Sequence, residues 1–371
     1  MKKLSLLAFL GLTTLCVGQS NPEDIIPTFN LDDYFVQPKF TISVGARALT
    51  GTKTTFGGQG LLETTQGFGD STSTSVIRNY YDGAVYLDNR TGATDGKTDS
   101  WAVATLAQFV NNNEDVTFHA YSAQITDASI RSKDTGLSLG TELVVSRDMG
   151  KITDKLKWKL FAGLSMNGIA ASVRDGVTIS LTTVTDTYSM DGQSPPATTP
   201  FVSPSNATDS LGNVAVVSIL LDRKPDNRTT TTETNSDRIV NFWNVKGTYL
   251  TFRVGPTLIY DLSENFSLSV SAGPVLAYAG TTYSVEQSLK IDNSPNLTTT
   301  AKDTSGNTLS GYYVDTTLEY AIGDRAGLYL GAFYQDAGTF TQATTQAGSS
   351  YTTNVDLSRL QGFRGGLNYK F

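Results

Sequence analysis

His119 is the only histidine of the chain, so proton transfer near neutral pH by an imidazole would have to pass through it. It sits in Val116-Thr117-Phe118-His119-Ala120-Tyr121, a run that alternates like a strand. A hydrolase or acyltransferase would need a nucleophile and an orienting polar group beside that ring, and no nucleophile motif surrounds it. The expectation is a polar-face residue. Asp88, Asp95 and Asp99 share a turn-rich stretch with Asn89, Gly92 and Gly96, which supplies the hard oxygens that calcium prefers. Their spacing is not that of an EF-hand loop, and solvated turn chemistry accounts for them. No residue is assigned a catalytic, cofactor-binding or metal-binding role, and the chain is expected not to be an enzyme.

The informative charges are Arg47, Glu142, Arg253, Asp315, Glu319 and Arg364, because each falls on the polar parity of an alternating segment. Residues of one parity share a face of a strand. A charge on an enclosed face must be paired and hydrogen-bonded. Counted from the tight-turn end of their strands, Arg47, Glu142, Arg253, Asp315 and Arg364 lie at about the same height, so they are expected to form one layer, with Glu319 below it.

The segments that must position these charges alternate apolar and polar residues. The first carries Phe40, Ile42, Val44, Ala46 and Ala48. A hairpin follows, with Leu137 to Val145 on one arm and Leu156 to Leu164 on the other. Next come Leu250 to Tyr260 turning into Phe266 to Tyr278, and Tyr312 to Tyr320 turning into Leu328 to Tyr334. The last runs from Phe363 to Phe371. The connections alternate between short and long. Pro256 and Pro274 fall in mid-strand, where proline removes a ladder donor.

From Phe266 to Tyr278, twelve steps of roughly 3.3 Å at a tilt of about 40° climb on the order of 30 Å. One face is apolar between two aromatic ends, and the other is Ser267, Ser269, Ser271 and Gly273. That is the pattern of an antiparallel transmembrane β-barrel with lipid outside and small polar residues inside. The fold class is therefore all-β, with eight strands closing the barrel, or ten to twelve if strands within the loops join it. Short periplasmic turns and long extracellular loops are expected, the loops at about 50–134, 167–246, 280–308 and 336–354.

Lys2, Lys3 and the apolar run Leu4 to Val17 read as a signal peptide over residues 1–18. A polar periplasmic lead-in over 19–37 and the barrel over 38–371 follow. Cys16 is the only cysteine and Leu15 precedes it, which does not suit a lipidation site. Once the leader is removed, no disulfide framework or thiolate metal site remains. The formal net charge of -7 argues against nucleic acid as a partner.

Arg364, Gly366, Tyr369 and Phe371 follow the order polar, any, Gly, any, any, aromatic, any, aromatic. This resembles the C-terminal assembly signal of bacterial outer-membrane β-barrels. The whole arrangement resembles the small outer-membrane barrels typified by OmpA, OmpX and OmpW, with long loops inserted and with no peptidoglycan-binding domain expected after the barrel. Tyr80 to Asp88 and the stretch Tyr249 to Phe371 also resemble poorly characterised envelope barrels. No activity comes with either likeness. The resemblance implies the outer membrane of a Gram-negative-type bacterium, export by signal peptide, contact with outer-membrane lipid and lipopolysaccharide, and insertion by the barrel assembly machinery. The function expected is non-enzymatic display of surface loops for envelope structure, adhesion or recognition of an extracellular ligand. The alternative is a porin-like or OmpW-like conduit for small or hydrophobic solutes.

Overall fold

A computed structural model describes residues 40–63, 70–208, 214–291, 296–346 and 348–371. The expected leader and lead-in lie outside the described residues. Eight long strands form a ring: β1 (Phe40–Thr50), β2 (Ser138–Lys151), β3 (Leu156–Ser189), β4 (Asn227–Asp261), β5 (Phe266–Leu289), β6 (Leu297–Ala321), β7 (Ala326–Asp336) and β8 (Leu360–Lys370). Each pairs antiparallel with the next in this order. β8 returns to β1, with Tyr369 opposite Ile42 and Phe363 opposite Ala48, so the ring has no free edge at that level.

At one end the strands turn tightly through residues 152–155, 262–265 and 322–325. Each turn opens on an exposed apolar residue, Ile152, Leu262 or Ile322. The amide of that residue donates to the carbonyl four positions on, at 2.8 to 2.9 Å. The two prolines meet at one seam of the ring. The β4–β5 ladder stops after Arg253↔Val275 and resumes at Thr257↔Ser271, so both missing donors fall in a single gap. Pro256 and Pro274 remain paired on their other sides, with Leu160 and Tyr312.

Away from the tight turns the wall continues well past the strands expected from sequence. β3 reaches Ser189 and β4 begins at Asn227, so much of the loop expected at 167–246 is wall. β5 and β6 likewise extend into 280–308, and 336–354 holds a hairpin of Thr339–Gln346 and Ser349–Asp356. The reason is visible along β5. Up to Tyr278 the apolar set Phe266, Leu268, Val270, Leu276 and Tyr278 is exposed and Ser269 and Ser271 are buried. Beyond it Ala279, Tyr283, Val285 and Leu289 are buried, while Thr282, Ser284 and Glu286 face out. The apolar residues have changed face by one position, which the chain achieves without a bend because its side chains simply alternate.

A lobe rises from this extended wall. The segment Asp115–Ile125 pairs with the upper part of β3, from Asp115↔Ser189 to Ile125↔Ile179, and on its other edge with Phe109–Val110 and Leu61–Glu63. It lies outside the ring of eight. Against it sits a small sheet of Arg78–Tyr80, Gly83–Val85, Trp101–Val103 and Phe201–Ser203. Tyr80, Val85, Trp101, Phe118, Tyr188 and Leu221 form its core. A second small sheet, Lys53–Gln59 and Arg131–Asp134 with the 339–356 hairpin, stands beside the upper wall.

Candidate functional site

Parity aims Arg47, Glu142, Arg253, Asp315 and Arg364 into the ring, and the structure brings all five together. Arg47 and Arg364 stand directly opposite each other on β1 and β8, a repulsive placement unless an acid divides them. Glu142 does so. Its carboxylate lies 2.9 Å from Arg253 Nη2, 3.3 Å from Arg364 Nη1 and 3.8 Å from Arg47 Nε. Asp315 takes Arg364 Nη2 at 3.1 Å and Arg253 Nη1 at 3.5 Å. The five side chains are between 0 and 7% exposed, so the whole network is withdrawn from solvent.

Residues not singled out from sequence complete the layer. Tyr329 donates to Glu142 Oε1 at 2.9 Å, Thr317 accepts from Arg364 at 2.7 Å, and Arg47 donates to Ser165 and, at 3.2 Å, to Gln335. Each guanidinium also lies near an aromatic ring: Arg47 is 4.1 Å from the Phe333 centroid, Arg253 is 5.3 Å from that of Tyr313, and Arg364 is 5.6 Å from that of Tyr329. Such contacts favour a cation where water is absent. Parity could have found Tyr329 and Phe333, which alternate with outward Leu328 and Leu330. Gly45 and Gly366 face each other beneath Tyr329. A Cβ on Gly45 would collide with the Tyr329 hydroxyl, and one on Gly366 with the backbone of Val44 and Gly45. Gly45 thereby makes room for the ring that binds Glu142, and the glycine of the terminal motif lets the β1 backbone approach closely.

Below the layer, at the tight-turn end, is a polar vestibule of about 450 Å³ lined by residues including Lys157, Asp261, Glu319 and Asn368. Glu319 lies here, under the layer, accepting from Asn368 at 3.3 Å. Above the layer the interior is mainly apolar, with Ile169, Tyr249, Val275, Ala277 and Tyr313 buried, and Asn167, Asn241 and Gln287 buried as well. Around the outside at the level of the layer runs a belt of exposed Val44, Leu143, Leu164, Phe252, Val270, Val314, Leu330 and Leu367. Aromatic residues edge the belt on the tight-turn side, where the rings of Phe266 and Tyr320, and of Tyr369 and Phe371, are 4.8 Å apart. An oily exterior around an ionic interior, on a wall whose ring is closed at that level, is stable in a bilayer and not in water.

The chain is a β-barrel of the outer-membrane type. No protein-family model matches it, and no curated protein does. Among solved structures it is similar to the outer membrane protease OmpT of Escherichia coli, at 11% identity over 91% of this chain and 98% of that one, with a TM-score of 0.28. It is also similar to Ail, the attachment invasion locus protein of Yersinia pestis, solved with the heparin analogue sucrose octasulfate (6% identity, 88% and 99% coverage, TM-score 0.26). A Pseudomonas aeruginosa FadL homologue aligns at 9% identity over 90% of each chain, with a TM-score of 0.19. The assignment rests on the closed ring and its belt.

The residues of the terminal motif fall into different places. Arg364 belongs to the ionic layer, Gly366 lies beneath Tyr329, and Tyr369 and Phe371 stand in the aromatic edge. Phe371 N donates to the Phe40 carbonyl at 2.8 Å, the last bond of the β1–β8 seam. Deleting Phe371 is expected to lower the fraction of heat-modifiable folded barrel recovered in membranes; recovery equal to the parent would assign the residue no part in assembly.

In the lobe, His119 has a partner that sequence reasoning missed. Asp82 accepts the His119 backbone amide at 2.8 Å and lies 2.6 Å from its Nδ1. The Tyr81 amide donates to the His119 carbonyl at 2.8 Å, so the pair ties the 80–82 turn to the 115–125 strand. Asp82 and His119 lie far apart in sequence, and no spacing rule links them. Asp88 and Asp95 converge on Arg90, at 3.0 and 2.7 Å, and these hydrogen bonds pull the Asp95 carboxyl down to about 2. Asp99 lies beside them, 3.4 Å from the Asn89 amide. Among the described residues no three His, Cys, Asp or Glu side chains gather as a metal site. The buried centre of the lobe is Asp186. Arg228 forks onto its two oxygens at 2.6 and 2.5 Å, and Tyr80 donates to it at 2.5 Å. Burial pushes the Tyr80 and Tyr188 phenols well above their usual range, which keeps them protonated as donors.

Proposed function

We propose that the chain is a non-enzymatic outer-membrane barrel whose tight turns face the periplasm and whose long strands hold a folded lobe outside the cell, for adhesion or partner recognition. The observation that carries this reading is the closed interior. The ionic layer fills an eight-strand lumen, which is just wide enough for side chains, and the apolar packing above it continues the plug. A scaffold that spends its interior on packing and its length on an external lobe suits display better than transport. The use of Asp82 to staple His119 into the lobe supports a structural role for the imidazole. Outer-membrane lipid and lipopolysaccharide surround the belt on this reading, and the barrel assembly machinery inserts it.

The parent protein is expected to pass no steady current in planar bilayers. Steady conductance, with its ion preference changed by Glu142→Gln, would reject the plug and promote the conduit reading. Protease added to intact cells should cut within the lobe and spare the turns at 152–155, 262–265 and 322–325. Cleavage at those turns would reverse the orientation.

A further inference from the structure

Among the described residues, one stretch of the extended wall is left with an open edge. Between Asn227 and Asn235, β4 pairs with β3, from Asn227↔Thr187 to Asn235↔Ile179. Its ladder to β5 begins only at Ile239↔Leu289. Among the described residues no strand pairs the other edge of 227–235, and Thr229 to Thr234 are exposed. Proteins ordinarily blunt such an edge with lysine, proline, a bulge or a very short strand. This one carries four consecutive threonines, which favour extended backbone. Neither of its two charges guards it. Arg228 is drawn onto Asp186, and Glu233 pairs with Arg238 of the same strand at 3.2 Å.

The sequence of the edge, Asn-Arg-Thr-Thr-Thr-Thr-Glu-Thr-Asn from 227 to 235, keeps the same residue types on reversal about Thr231 at 230/232 and 227/235, and differs at 229/233 and 228/234. A two-fold axis through the sheet at Thr231 would set Thr230 of one copy against Thr232 of the other and Thr231 against itself. Thr229 would face Glu233, and Arg228 would face Thr234. No like charges meet, and the centre consists of threonine pairs that hydrogen-bond across strands. This pairing is antiparallel, and that constrains where the copies stand. β4 runs from lobe to barrel, so two copies in one membrane present the edge in the same direction. Copies in facing membranes present it in opposite directions. We infer that the open edge of β4 joins a second copy of this chain standing in an opposing membrane, by antiparallel pairing centred on Thr231. The inference rests on the display reading, since only an outward lobe can reach another membrane.

The test uses the full-length protein in phosphatidylcholine vesicles, with clustering followed by light scattering. Parent vesicles are expected to cluster in proportion to protein content, while protein-free vesicles stay dispersed. T230K/T232K sets lysine against lysine across the axis and should abolish clustering, and T230E/T232E should do the same with like negative charges. Mixing vesicles of the two variants should restore it, because lysine then faces glutamate. Both sites are exposed, so heat-modifiability should match the parent. Three results overturn the inference: parent vesicles that stay dispersed although their lobes are open to added protease, lysine-variant vesicles that cluster alone, or a mixture that does not cluster. Failure of the display reading appears elsewhere, in the conductance and whole-cell protease measurements.

Discussion

Glu142→Gln should destabilise the barrel by about 3 to 5 kcal/mol, the usual cost of breaking a buried ion pair from one side. The size follows from its position. Glu142 contacts Arg47, Arg253 and Arg364 together, and Arg47 and Arg364 face each other across the β1–β8 seam. Without the carboxylate, three guanidiniums share a dry interior with Asp315 alone. Asp315→Asn, which touches Arg253 and Arg364 only, should cost less. Replacing the whole cluster with apolar side chains of similar volume should recover much of the loss, because no charge is then stranded. Urea unfolding of the refolded barrel in lipid measures all three. An unchanged midpoint for Glu142→Gln would mean that water reaches the layer.

Val270→Arg should cost about 2 to 4 kcal/mol, the penalty for a cation on the lipid face of a barrel strand near mid-bilayer. Val270 is exposed on the belt of β5, between Phe266 and Tyr278. Thr282→Arg, on the same outward face of the same strand beyond Tyr278, should be nearly neutral. The pair of variants locates the bilayer boundary on one strand by the same unfolding measurement. Equal costs would show that the change of face after Tyr278 does not mark the edge of the lipid.

That change of face also explains what the sequence disclosed and what it concealed. Within the belt a single rule, apolar out and polar in, made the strands and the inward charges legible, and parity alone placed Arg47, Glu142, Arg253, Asp315 and Arg364 on one side of the wall. Above Tyr278 the rule inverts. Ala279, Tyr283 and Val285 take over the apolar parity from Leu276 and Tyr278, so a continuous strand reads as one that has stopped and a loop that has begun. In β4 the threonine run has no apolar parity to read. The lobe was hidden for another reason. Its contacts join residues such as Tyr80, Asp186 and Arg228, or Asp82 and His119, whose meeting depends on how the loops pack and not on spacing along a strand.

Lobe and barrel share their longest strands. The β3–β4 ladder runs from Leu156↔Tyr260 at the tight turn to Thr187↔Asn227 in the lobe, with one irregularity at Val177/Ile179, and no linker divides the two. Mechanical load on the lobe therefore enters the barrel along the strand axes. It strains many ladder hydrogen bonds in shear at once, where a load across the strands would peel them open singly. A tether built this way transmits tension to its anchor without a hinge, and it should fail by extraction of the whole barrel before the lobe unravels.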